Sequence, residues 1–89
     1  MVRPSKRLQK LRQNPKNVSL HELQQVLEDF GFQIDRVSGS HYIFRAKIAG
    51  RVWRLTIPHH KPIKTIYVKQ AIIAIDEIIQ WQDEMDEEE

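Results

Sequence analysis

The sequence contains no cysteine, which excludes disulfide staples, thiolate zinc sites and cysteine nucleophiles together. No apolar run approaches the roughly 18 residues that would span a bilayer, and the first residues lack the apolar segment of a secretory signal. The expectation is a cytoplasmic chain with no membrane partner. Glycine is scarce, at 3 of 89 residues, and each one stands where a regular pattern breaks. Charge is missing locally as well: residues 1–17 hold no acid and carry +6, whereas residues 76–89 hold no base and carry −8. The stretch between them carries +4, so the formal net charge of +2 conceals a basic core behind an acidic end. A basic surface favours phosphate polymers, although charge by itself is silent on fold and catalysis. Hydrophobic content of 40% is ordinary for one small folded domain.

Residues 1–17 have few apolar positions and two prolines, Pro4 and Pro15, and are expected to be a mobile leader or a poorly anchored helix outside the core. Ser19-Leu20-His21-Glu22 has the spacing of a capping box. Leu20, Leu23, Val26, Leu27 and Phe30 then form a helical stripe that Gly31 is placed to close. Three strand-like runs follow, 32–37, 41–48 and 51–58, divided by Ser38-Gly39-Ser40 and by Ala49-Gly50. Tyr42, Phe44, Ala46, Ile48, Trp53, Leu55 and Ile57 take the inward phase of the second and third runs. A basic, proline-containing loop over 59–64 leads to a last helix with an apolar stripe from Val68 to Ile79. Its acidic end opposes the macrodipole, so fraying is expected after about Trp81, a residue off the stripe and free to touch a partner.

The order α-β-β-β-α predicts an α+β domain over residues 18–82, a three-stranded antiparallel sheet with two helices packed on one face. Arg45, Lys47 and Arg54 fall on the open face of that sheet, with His41 at its rim. Residues 83–89 form an acidic tail, either solvated or folded back over the basic face as a weak competitor for a phosphate polymer.

Histidine is the side chain whose ordinary pKa lets it exchange protons near neutrality. On the residues alone, His41 either closes a turn by hydrogen bonding or acts as an acid/base. Counting outward from the Ala49-Gly50 turn puts Pro58 opposite His41, which makes His59 or His60 its neighbour. That pair is either a partner for substrate phosphate or a solvated loop feature. Being adjacent, the two point to opposite sides and make a poor metal site, and no metal or other cofactor is expected. His21 is expected to be inert on the helix surface. Lys61, Lys64 and Lys69 cluster at the start of the last helix, as phosphate ligands or as an ordinary solvated helix face.

Four blocks together resemble the HicA family of type II toxins: Leu27…Phe30-Gly31-Phe32, Val37-Ser38-Gly39-Ser40-His41-Tyr42-Ile43-Phe44, Thr56-Ile57-Pro58-His59-His60-Lys61, and Tyr67-Val68-Lys69-Gln70-Ala71. The resemblance covers about residues 18–80. It implies a fold like the double-stranded-RNA-binding domain, endonucleolytic cleavage of mRNA, and masking by a HicB-like antitoxin. It also implies that His41, in the Gly-Ser-His block, is the catalytic residue, with Ser40 beside it at the RNA. Arg45, Lys47, Arg54, His59, His60, Lys61, Lys64 and Lys69 are then the candidate RNA contacts. Two readings compete with the toxin: a non-catalytic RNA-binding module on the same scaffold, and a protein-binding adaptor indifferent to RNA.

Overall fold

A computed structural model describes residues 5–87, with element order α1 (Lys6–Gln13), α2 (Leu20–Asp29), β1 (Gln33–Ser38), β2 (His41–Ile48), β3 (Arg51–Pro58) and α3 (Thr65–Glu87). The strands form one antiparallel sheet in the order β1-β2-β3. The α-β-β-β-α domain expected from the sequence is present, with a further helix in front of it. No helix among the described residues is long and apolar enough to cross a membrane.

Local chemistry fixes both ends of α2. Ser19 Oγ accepts the Glu22 N–H at 3.1 Å, the Ser half of the capping box. At the other end the Gly31 N–H bonds the Glu28 carbonyl at 3.1 Å and the Phe32 N–H bonds the Leu27 carbonyl at 3.0 Å. This paired arrangement is a Schellman closure, and it needs a left-handed residue, supplied by Gly31 at φ +93°. A side chain there would also strike Ile48, because a Cβ would lie 2.8 Å from its Cδ1. The β2–β3 connection has two residues, both at positive φ, Ala49 at +48° and Gly50 at +81°, as a type I′ hairpin requires.

The core lies between the sheet and the helices. Phe32, Phe44, Leu23, Leu27, Ile57, Ile63, Val68, Ile75 and Ile78 are fully buried within it. β1 is an edge strand exposed along its whole length. Its register with β2 shifts between Ile34 and Arg36, at a bulge. Carried straight back from the turn, that pairing would set Asp35 against Phe44 on the packed face. The extra residue sets Ile34 there instead, and Asp35 reaches Arg54, 3.6 Å away on the open face.

Two expectations are corrected. Within the segment read as a leader outside the core, residues 6–13 form α1, and Leu8 and Leu11 are only 3% and 4% exposed. Ser5 caps this helix by accepting the Leu8 N–H at 3.2 Å. Asp29 receives both Ser5 Oγ and Arg7, and Arg12 grips Asp76 with two guanidinium nitrogens, which raises an already high arginine pKa. These ion pairs are half-exposed and worth roughly 0–1 kcal/mol each. The two leucines contribute about 1.5–3 kcal/mol apiece, so apolar burial holds α1 in place.

The second correction is at the C-terminus. α3 does not fray after Trp81 but runs on to Glu87, so residues 83–87 continue the helix and do not fold over the sheet. Trp81 finds its partner within the chain. Its Nε1–H donates to the Ile48 carbonyl at 3.1 Å, and its ring meets Trp53 edge-on at 6.4 Å. Arg51 lies over both rings, at 4.6 and 5.5 Å. Residues 1–4, 88 and 89 of the leader and tail lie outside the described residues.

Leu11→Ala is expected to lower unfolding stability in urea by about 2 kcal/mol or more. Asp76→Asn, which removes only the exposed pair, should cost less than about 1 kcal/mol. Two unchanged midpoints would return residues 6–13 to the status of a dispensable leader.

Candidate functional site

The β2–β3 register is as counted from the turn. His41 pairs with Pro58, Ile43 with Thr56, Arg45 with Arg54 and Lys47 with Val52. Residues directly opposite in an antiparallel pair share a face. His41, Arg45, Lys47 and Arg54 therefore stand together on the open face, all exposed. β1 adds a residue that the sequence reading left out. Arg36 pairs with Ile43, which sets it on the same face, diagonal to His41 at about 7–8 Å between Cα atoms.

This face is electrostatically unbalanced. Arg45 sits directly opposite Arg54, and like charges in that position destabilise a sheet. Asp35 offsets Arg54 in part. Arg36, Arg45 and Lys47 form no ion pair with any described residue. A face that accepts such repulsion is suited to an anionic ligand.

The remaining candidates separate into two groups. The His59 N–H donates to the Ser40 carbonyl at 2.6 Å, which carries the ladder one residue past Pro58 and fastens the 59–63 loop to the Gly-Ser-His block. The Ile63 N–H donates to the Val18 carbonyl at 2.9 Å, and this ties the far end of the same loop to the start of α2. Between the two anchors runs a groove of about 610 Å³ on the helix side of the hairpin end, lined by His59, His60, Lys61 and Tyr42. His21 lines it too, so the residue read as inert shares a groove with two of the candidate histidines. His60 Nδ1 lies 3.0 Å from the Pro62 carbonyl; a carbonyl only accepts, so Nδ1 carries the proton and Nε2 is left free. Lys64 and Lys69 are exposed at the start of α3 and line neither the groove nor the open sheet face. Among the described residues, no three histidine or acidic side chains gather so as to hold a metal ion.

His41 thus stands at the strand end where the two surfaces meet, next in sequence to Ser40, whose carbonyl anchors the loop, and to Tyr42, which lines the groove. Compared with protein-family models, residues 21–76 match the one described as the HicA toxin of bacterial toxin–antitoxin systems. The chain belongs to the HicA toxin family. Membership implies a cognate antitoxin as a partner for this HicA-family protein. The matched span contains the open sheet face and all ten candidate residues from Ser40 to Lys69, while α1, the Asn17 to Leu20 edge of the groove and the C-terminal end of α3 fall outside it. Comparisons with curated proteins and with solved structures find no match.

The loop anchoring has a direct readout. In amide hydrogen exchange, His59 is expected to exchange slowly, with protection near that of β3, whereas the His60 and Lys61 amides exchange fast. A fast-exchanging His59 would mean that the loop is not held against Ser40.

Proposed function

We propose that this HicA-family chain is an endoribonuclease that cleaves mRNA in the cytoplasm, with His41 as the acid/base, and that a HicB-like antitoxin neutralises it. RNA carries its own nucleophile, so the reaction requires no bound metal to generate one. His41 removes the proton of a ribose 2′-hydroxyl, and the 2′-oxygen forms a bond to the neighbouring phosphorus. The bond from phosphorus to the 5′-oxygen breaks, and the leaving oxygen takes a proton from water. The products are a 2′,3′-cyclic phosphate and a free 5′-hydroxyl. The proton held by the imidazole returns to solvent and restores the enzyme.

One observation carries this reading. An exposed imidazole stands at the rim of a sheet face on which Arg36, Arg45 and Lys47 have no acidic partner among the described residues. Those cations can bind the RNA backbone and stabilise the additional charge on a phosphorane. Lys64 and Lys69, farther along the loop and helix, are candidates for more distant backbone contacts. An antitoxin that covered the rim would block access to the imidazole without altering the fold.

His41→Ala should reduce RNA cleavage by about 10²- to 10⁴-fold and abolish toxicity, with the melting transition unchanged because the residue is exposed. The same variant should still bind RNA, and log K should fall with log salt at about −0.7 per phosphate neutralised. Arg45→Ala and Lys47→Ala should each make that slope shallower by about one such step. A folded His41→Ala chain that cleaves normally would refute the catalytic assignment. A wild-type chain that binds RNA with this salt dependence and leaves it intact would establish the non-catalytic module instead.

A further inference from the structure

The groove beside the hairpin end holds more recognition chemistry than cleavage by one histidine requires. At about 610 Å³ it falls within the roughly 300–1,000 Å³ range of small-ligand sites. Part of its lining is apolar and aromatic: Leu20, Pro62 and the Tyr42 ring, against which His59 stands edge-on at 5.7 Å. Other lining groups have hydrogen-bonding capacity to spare. The Gln24 amide is half-buried and bonds to no described residue. His60 presents a free Nε2 because its Nδ1–H is committed to Pro62. Lys61 contributes a cation with no acidic partner among the described residues. A flat heteroaromatic ring with donors and acceptors along its edge, joined to an anion, complements this set.

We infer that the groove seats a single nucleobase of the RNA, next to the cleaved bond, with its ring against Tyr42 and His59, its edge read by Gln24 and its phosphate on Lys61. The inference rests on the nuclease reading for the position of that base relative to the cut. The chain path agrees with it. The groove begins at Tyr42, the residue after His41, and the His59 to Ser40 hydrogen bond joins its wall to the Gly-Ser-His block. Asn17 lines both this groove and a second depression of about 340 Å³ between α1 and α2, where Lys10 and Lys16 have no acidic partner among the described residues. A strand leaving the base seat past Asn17 would meet those two cations. Gln24 is thereby the residue that sets sequence preference, and Lys61 binds the phosphate whichever base is present.

The test titrates the four ribonucleoside 3′-monophosphates into the full-length His41→Ala chain, with inorganic phosphate as the control, followed by ¹H–¹⁵N NMR. At least one nucleotide should saturably shift the Gln24 side-chain amide and the Tyr42 backbone amide. Inorganic phosphate should shift only the amides around Lys61. Gln24→Ala should weaken the preferred nucleotide by about threefold to tenfold and level the differences among the four, as the loss of one hydrogen bond would. Lys61→Ala should weaken all four alike. The first titration uses no groove variant, so a variant that failed to fold would not blunt it. Silence at Gln24 and Tyr42 with all four nucleotides, or equal shifts with inorganic phosphate, would overturn the base seat. Binding is read here without cleavage, so the two readings fail separately. If the groove ignores nucleotides while cleavage still depends on His41, only the seat is lost. If the groove takes nucleotides while His41→Ala still cuts RNA, the seat stands and the catalytic assignment falls.

Discussion

The geometry of the site depends on the register of the β2–β3 hairpin, and that register is set at the end far from His41. Two residues with positive φ, Ala49 and Gly50, force a two-residue turn, and every later pairing follows by count. His41 meets Pro58, and the first residue after the proline presents its N–H to Ser40. A slip of one residue would turn His41 to the packed face and leave Phe44 in solvent. Burial of Phe44, Trp53 and Ile57 opposes any such slip. The core and the candidate site are therefore specified by the same constraint.

Charge in this molecule serves two purposes, told apart by partners. Arg7, Arg12 and Arg51 are paired with Asp29, Asp76 and Glu77, each bridging a helix to a neighbouring element. Arg36, Arg45, Lys47 and Lys61 are left without a described acid around the hairpin and its loop. The β1 bulge belongs to the same arrangement, because it keeps Asp35 off the packed face and aims it at Arg54. Net charge alone would have missed this division, since the acids at the C-terminal end cancel the sum, and Asp76 and Glu77 among them pair with Arg12 and Arg51 and not with the cations of the open face.

Much of the architecture was legible because its signals were local. The Ser19 cap, the Gly31 closure and the alternation of Tyr42, Phe44 and Ala46 each fix an element with no knowledge of the rest. The hairpin could be counted because its turn is short. What escaped notice depended on contacts distant in sequence. α1 has only Leu8 and Leu11 to bury among four bases, and their value appears only once α2 and α3 are there to receive them. Ser5 three residues before Leu8 was the available hint, a helix cap ahead of an i, i+3 pair. Arg36 could have been found by extending the count back through the Gly39-Ser40 turn. His21 could not, since its place beside His59 and His60 depends on how the Ile63 to Val18 hydrogen bond folds the loop onto α2. Trp81 was misjudged for a similar reason, its acceptor being a backbone carbonyl 33 residues away.

The position of the indoles has a practical corollary. Both tryptophans of the chain, Trp53 and Trp81, belong to one cluster with Arg51 at the turn end of the hairpin. Seven steps of extended strand separate Ile48, at that end, from His41, roughly 24 Å. Intrinsic fluorescence therefore reports whether the last turns of α3 are docked against the turn. A ligand arriving at the opposite end leaves that emission undisturbed, so the same molecule offers one optical window on its folding and none on its occupancy.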